Sequence, residues 1–407
     1  MKIGNKILIA GAGASGLAAA LFAARAGARV TVAEAGKSPG RKILASGNGR
    51  CNFANTGVSV ERYHGGAYLA GRVLKDFGWP QAAEFFSGLG VSFREEESGK
   101  VFTSCGRARA VLDALLLAAS EAGVEIFTEA PLTSVRPEKG GLRCLFGGRE
   151  ELFDKVVLAC GSCAYPQLGG GNSGYELARA LGHTRTYLSE AQVPLCVKEK
   201  GIRRLKGIRT LGKLKAFQGG RELAAASGEI LFTDYGLSGP CALDLSRDAV
   251  RALCSGAVAL SMNILPEVSG SGEEFFRKRA KAFPARKLRE LLAGLFHESM
   301  INLVCDRYGS TAEKPAEALT ASDLRTLSEL VCDWRLELSA PLSWREAMVC
   351  AGGVTAGEIN PETFESLKAP GVYFCGELLD VDGDCGGFNL HFAWASGRLA
   401  GISAARG

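Results

Sequence analysis

The chain has 407 residues, 47% of them apolar and 22% charged, with 48 Lys and Arg against 43 Asp and Glu and a formal charge of +5. That length buries a sizeable core in two or three lobes, and the basic excess is spread along the sequence without a Lys/Arg run interleaved with aromatics, which argues against nucleic acid as a partner. The longest apolar stretch, Leu17 to Ala24, is too short for membrane insertion, and thirteen cysteines without regular spacing, behind an N-terminus that enters a strand at once, read as reduced thiols in a cytoplasmic protein.

Residues 7–34, ILIAGAGASGLAAALFAARAGARVTVAE, give a strand, a Gly-rich turn, an Ala-rich helix, a second strand and an acidic end. Gly11, Gly13 and Gly16 form GxGxxG: the first allows the tight turn, the second lets a pyrophosphate approach, and the third lets the helix pack on the sheet. Ala14 and Ser15 open that helix, and its free N–H groups suit phosphate oxygens. Glu34, followed by Ala35, has the position and charge to accept both hydroxyls of an adenosine ribose.

Residues 40–52, GRKILASGNGRCN, concentrate cations, asparagines and small residues in one loop. Arg41 offers a fork of donors to a pyrophosphate, with Lys42 beside it. Ser46, Gly47 and Gly49 exclude little from a flavin edge, and Arg50 and Asn52 supply donors near an isoalloxazine or an anionic substrate. Cys51 reads as a small packed residue in this loop.

The pattern AVLDALLLAASEAG (110–123) predicts a helix ended by glycine, and VEIFTEAPLTSV predicts a strand whose backbone near Leu132 cradles adenine. VVLACGSCAYP (156–166) reads as the strand-end turn that closes a nucleotide-binding unit, with Gly161 at the turn. Cys160 and Cys163 have the spacing of a redox pair, but a turn near the AMP or pyrophosphate portion keeps such thiols from the flavin ring. No second cysteine pair has zinc spacing, and His64, His183, His297 and His391 form no helical ligand motif, so no metal is expected.

From about residue 191 the period changes to short strand-like segments. The expected organisation is a discontinuous cofactor domain (1–190 and 343–407), a β-rich insert (191–272) and a helical cap (273–342). Residues 371–401 return a strand, Val372 to Cys375, then Gly376-Glu377, an acidic Gly-rich loop containing Asp384, and Gly386-Gly387-Phe388-Asn389 opening an apolar helix. A carboxylate at a strand end can hold a ribityl hydroxyl. A Gly-Gly helix start brings N–H donors and a positive dipole end to the N1 and C2-carbonyl edge of a flavin, which stabilises the anionic reduced ring. Together with GxGxxG this favours FAD over NAD as the tightly bound cofactor.

The segments GAGASGLAAA, GRKILASGNGRCN, GEILFTDYGLSGP (228–240), AGGVTAGEI (351–359) and GELLDVDGDCGGFNLHFAWASGRLAG (376–401) resemble those of the bacterial BaiN/YhiN-type flavoproteins over nearly the whole length. The resemblance implies an α/β fold with a Rossmann-type FAD-binding domain interrupted by an insert, and NAD(P)/FAD-dependent oxidoreductase activity. One branch of that family is similar to bile-acid pathway enzymes that reduce the C=C bond of 3-oxo-steroid intermediates.

In flavin chemistry the ring carries the hydride, so the protein positions substrate and supplies a proton. Asp234, Tyr235 and His391 are the candidate proton donors; the related family more often has His at the position of Asp234. The expected reaction is reduction of a conjugated C=C bond in a small apolar or amphipathic enone. NADH or NADPH would bind transiently, because no second GxGxxG is present. The alternatives are an amine oxidase of the aminoacetone type that passes electrons to oxygen, and a flavin-bound RNA-modification or regulatory module. Oligomeric state is not encoded in these patterns.

Overall fold

Strands β1 (Lys6–Ala10), β2 (Arg29–Ala33), β3 (Glu125–Phe127), β4 (Lys155–Leu158) and β5 (Val372–Phe374) form one sheet in the order β5-β4-β1-β2-β3, parallel at every pairing. The computed structural model describes residues 4–268 and 271–407. Ile7, Leu8 and Ile9 are fully buried, as an apolar run covered on both faces of a parallel sheet requires. Register aligns the strand ends: Ala10 pairs with Ala33 and with Leu158, and Leu158 pairs with Phe374. Gly11, Glu34, Ala159 and Cys375 therefore emerge at one carboxyl edge, where open α/β sheets bind ligands.

Helix α1 (Ala14–Arg25) and the C-terminal helix α2 (Phe388–Arg406) pack side by side. A Cβ added to Gly397 would lie 2.3 Å from the Ser15 carbonyl oxygen, and one added to Gly401 would lie 2.3 Å from that of Ala19. Both contacts advance by one turn in the same sense, so the helices run parallel at glycine-to-backbone distance. Helix α2 begins eight residues before the level at which α1 begins, which at 1.5 Å per residue places its start roughly 12 Å beyond that of α1.

The segment expected to be one strand at 124–135 is two. Glu125–Phe127 joins the parallel sheet, while Leu132–Glu138 joins an antiparallel sheet with Gly141–Phe146 and Arg149–Phe153. Pro131 has no N–H for a ladder, and Glu129 adopts a left-handed φ of 53°, so the chain turns between them.

By contact the chain divides into two units, Met1–Ser189 with Met348–Gly407, and Glu190–Ala347. The second contains a closed antiparallel barrel of Leu195–Val197, Gly236–Ser238, Arg221–Phe232, Arg209–Gln218, Val258–Asn263 and Trp334–Pro341, the last pairing with the first. Two details differ from the expected 191–272 and 273–342 partition. The β-rich stretch holds the helix Pro240–Leu253, started by proline at its first turn. The helical stretch ends in the strand that closes the barrel, where Trp334, Leu336 and Leu338 are buried and Arg335, Glu337 and Ser339 are exposed. Among the described residues no helix is long and apolar enough to cross a membrane, and no three His, Cys, Asp or Glu side chains gather as a metal site.

Candidate dinucleotide and flavin site

The three glycines after β1 do different work. Gly11 has φ +105°, and an added Cβ would stand 2.5 Å from the Ala159 carbonyl oxygen; one on Gly16 would stand 1.9 Å from that of Gly11. Those two positions are closed by the fold itself. A Cβ on Gly13 would meet nothing within 4 Å, so the space over the start of α1 is open. No side chain caps this helix and its first turn carries no acidic residue, leaving the N–H groups around Ala14 and Ser15 and the positive dipole end for an anion. A pyrophosphate fits this cradle.

Glu34 is fixed by the backbone: Oε2 accepts the Ala12 N–H and Oε1 accepts the Gly36 N–H, each at 2.7 Å. One bond per oxygen leaves lone pairs for ribose hydroxyls. Ala35 is exposed beside it. The Arg41 guanidinium lies between two glycine turns, since added Cβ atoms on Gly36 and Gly169 would come within 3.0 and 2.6 Å of its Nη2. On the expected adenosine side Leu132 is buried in its strand opposite Phe146. Two to three residues before it, Glu129 and Ala130 flank the Glu34 segment, their N–H groups donating to the carbonyls of Gly36 and Glu34. Gly161, at φ +71°, is another open position; two residues before it, the Ala159 N–H donates to Ala10 at the end of β1.

The C-terminal segment closes onto this edge. Gly376 sits so near α1 that an added Cβ would lie 2.3 Å from Ser15 Oγ. Glu377 then places Oε2 at 2.5 Å from Lys42 Nζ and accepts the Cys350 N–H on Oε1 at 3.0 Å. Further on, Asp384 accepts from His64 Nε2 at 2.9 Å and from Arg62 Nη1 at 3.3 Å. Burial opposes its ionisation, but these two donors hold its carboxyl below the usual range. Gly387, at φ +100°, approaches the Ala54 carbonyl to within 2.4 Å of an added Cβ, and Asn55 donates to the Gly386 carbonyl at 2.9 Å. Phe388 is buried edge-on to Tyr63, whose hydroxyl donates to the Phe388 carbonyl. Asn389 is spent on the loop, accepting the Gly383 N–H and donating to the Gly383 carbonyl, both at 2.8 Å.

The loop after α1 and β2 is strained. Gly47, Asn48, Gly49 and Cys51 all have φ between 54° and 80°, and two of these are not glycine, the kind of backbone that persists where surroundings enforce it. Ser46 Oγ donates to the Ile43 carbonyl, and Gly49 stands in open space. Cys51 is fully buried, and burial pushes its thiol up to about 12. Two side chains of this loop have protein partners. Arg50 Nη2 donates to both Glu96 oxygens, at 2.5 and 2.6 Å, and its guanidinium lies over the Phe102 ring. Asn52 accepts the Val101 N–H on Oδ1 and braces the loop.

The proton-donor candidates separate. Asp234 is exposed and paired with Lys206 at 2.7 Å, which holds its carboxyl below the usual range and makes it a poor acid at neutral pH. His391 is fully buried in α2, with Nε2 3.0 Å from the Phe77 carbonyl oxygen, and burial pushes it down to about 4. It packs as a neutral ring and is no longer a candidate. Tyr235 is half-buried, and burial raises its pKa, so its phenol stays protonated. Ala12, Asn55, Arg62, His64 and Gly169 were not singled out from sequence. Asn55 alone carried a local signal, three residues after GRKILASGNGRCN.

An uncapped helix start over a bare glycine, a carboxylate at the end of the second strand, and a second glycine-led helix start roughly 12 Å further on belong to one class of protein, the flavoprotein oxidoreductases with a Rossmann-type FAD-binding domain. A sequence profile described as the HI0933-like protein Rossmann domain matches residues 5–403, and the chain belongs to that family, in line with the BaiN/YhiN-type resemblance of its motifs. It is similar to the 3-dehydro-bile acid delta(4,6)-reductase of Clostridium scindens, 36% identical over 406 residues that cover 98% of this chain and 99% of that one. It is also similar to the ribosomal RNA dihydrouridine synthase of Escherichia coli, 29% identical over 398 residues covering 96% and 95%. Among solved structures, a 3-ketosteroid delta1-dehydrogenase from Sterolibacterium denitrificans shares the fold with a TM-score of 0.51 at 12% identity, over 98% of this chain and 100% of that one.

Proposed function

We propose that this protein reduces a C=C bond conjugated to a carbonyl, with a steroid-type enone as substrate and NADH or NADPH as transient hydride source. The observation that carries the reading is the pair of parallel helix starts at the sheet edge, one open to a pyrophosphate and the other led by Gly386-Gly387. Full-length similarity to a bile-acid reductase supports the substrate class.

When bound, FAD supplies the hydride. The chain's own residues do the rest. The α1 start would neutralise the phosphates, Glu34 would hold the ribose, and Glu377, ion-paired with Lys42, would accept a ribityl hydroxyl. The α2 start, led by Gly386-Gly387, would offer N–H donors and its positive end to the carbonyl edge of the ring. Hydride arriving at the substrate β-carbon would leave the α-carbon to take a proton, and of the three candidates named from sequence Tyr235 is the one that keeps a protonated phenol.

A second reading has a specific observation behind it. The product named for the E. coli relative, dihydrouridine, also arises by reducing a C=C bond conjugated to a carbonyl, so an RNA uracil would suit the same chemistry. Anaerobic titration of the purified protein with NADH and then NADPH, followed at the flavin band, tests the shared part. Bleaching is expected, followed by reoxidation on adding a 3-oxo-4,6-diene steroid. Reoxidation by a uridine-containing ribosomal RNA transcript alone would move the assignment to RNA. A band inert to both nucleotides, with peroxide released from aminoacetone, would replace the reductase by an oxidase, and absence of flavin would remove both.

A further inference from the structure

Cys160 and Cys163 have the linear spacing of a dithiol, yet the fold gives Cys163 another partner. Its Sγ lies 3.7 Å from Sγ of Cys350, 187 residues away in sequence, whereas Cys160 packs against Gly174. Both Cys163 and Cys350 belong to the nucleotide-binding unit. Cys350 is 1% exposed and Cys163 is only part-buried, so one thiol is reachable from solvent and the other stands behind it. The buried Tyr175 hydroxyl faces the Cys350 sulfur and makes no hydrogen bond of good geometry.

The electrostatics divide the labour. The hydrogen bond shared with Cys350 holds the Cys163 thiol below the ordinary range against the cost of burial, while the nearby charges of Glu377 and Lys42 oppose one another. The same bond, together with burial, raises Cys350. A thiol of lowered pKa that solvent can reach is the nucleophile of such a pair, and its buried neighbour resolves the product.

We propose that Cys163 and Cys350 form a reversible disulfide in response to a hydroperoxide. The Cys163 thiolate attacks one oxygen of hydrogen peroxide, the O–O bond breaks, and the departing oxygen takes a proton and leaves as water. Cys350 sulfur then attacks the Cys163 sulfenic acid, the S–O bond breaks, a second water leaves with the Cys350 proton, and the S–S bond forms. Two thiols lose two hydrogens and two electrons; one peroxide becomes two waters. An external dithiol reverses the reaction. The sulfurs must close by about 1.7 Å to reach disulfide length. The Cys350 N–H is also a donor to Glu377 Oε1, so the cross-link forms one hydrogen bond from a residue assigned to the cofactor. The cross-link itself is independent of the flavin reading, because it is read on the polypeptide.

The test uses the whole protein as purified, exposed to a slight molar excess of hydrogen peroxide, alkylated with N-ethylmaleimide, digested and mapped by mass spectrometry. The expected result is a peptide pair joined through Cys163 and Cys350, two hydrogens lighter than its parts, which dithiothreitol separates, while the exposed Cys105 and Cys254 are recovered alkylated. Cys160→Ser should leave the yield unchanged, and Cys163→Ser and Cys163→Ala, each checked for an unaltered melting temperature, should abolish it. A link between Cys160 and Cys163, over-oxidation of Cys163 without a link, or full alkylation of Cys163 and Cys350 would each overturn the proposal.

Discussion

Ser366, His183 and Glu358 stand in the order of a hydrolytic triad, with His183 Nε2 2.7 Å from Ser366 Oγ and Nδ1 3.0 Å from Glu358 Oε2. Lys42, Glu377 and the Cys350 N–H make a chain of similar length in the same unit. In the first cluster, Ser366 Oγ also accepts the N–H groups of Lys368 and Ala369, and Glu358 also accepts from Thr184 N–H, Thr184 Oγ1 and Lys368 Nζ. Ser366 and His183 are buried. Its donors and acceptors are consumed and its serine and imidazole are closed to solvent, so it staples the segment 355–369 to the chain at 183–184. In the second, Glu377 has one protein partner on each oxygen and stands one residue from Gly376 at the sheet edge. Hydrogen-bond distance between catalytic residue types identifies a site only where capacity and space are left over.

Glu358→Ala is the harshest probe of that contrast. It strips acceptors from His183, Thr184 and Lys368 at a largely buried position, and should cost about 3 kcal/mol in urea unfolding with flavin per folded molecule unchanged. A loss of flavin at unaltered stability would reverse the roles given to the two clusters. A comparable effect is expected from pH. Burial depresses both His183 and His391, the latter to about 4, so the unfolded chain binds more protons than the native one. Their contribution is complete above the unfolded value near 6.5 and is lost as pH falls toward 4, worth about 3 kcal/mol for His391 alone at 1.36 kcal/mol per unit. Glu358, lowered to about 2, adds a further loss below roughly 4.5. Unfolding midpoints between pH 7 and 4 check the sign; a flat profile would show that neither ring is held neutral by the fold.

The cofactor side predicts the opposite balance. Glu34→Ala or Glu377→Ala should weaken flavin binding roughly tenfold, near 1.4 kcal/mol, with less than about 1 kcal/mol of stability lost. Gly13→Ala sharpens this further. Its Cβ meets no protein atom, so the variant should melt with the parent yet retain little flavin, whereas Gly16→Ala, 1.9 Å from a carbonyl oxygen, should fail to fold. The smallest effect is expected from Lys206→Ala, within about 0.5 kcal/mol and without change in reduction rate, because the Asp234 pair is solvent-exposed.

What sequence disclosed and what it hid divide along the same physical line. The βαβ unit, the strand-end carboxylate Glu34 and the Gly-Gly helix start are local: each is set by backbone conformation and spacing within about thirty residues. The barrel's last strand also had its period-2 pattern on display, in alternating Trp334, Leu336 and Leu338, but neighbouring helix patterns drew it into the wrong segment. The fates of Arg50, Asn52 and His391 were set by Glu96, Val101 and Phe77, partners at separations from 46 to 314 residues. No linear pattern weighs a donor's competing acceptors, and no linear pattern brings Cys163 to Cys350.

The glycines by which α2 lies on α1 make the two helices a ruler. Its zero is the turn at Gly13, its mark is the turn at Gly387, and its graduations are the residues between Phe388 and Gly397. The whole of 190–347 lies outside that interval, so lengthening or recasting it leaves the scale unaltered. A single residue inserted between Phe388 and Gly397 would shift the mark by about 1.5 Å and turn it by about 100°, and the two ends of a dinucleotide would no longer be read together.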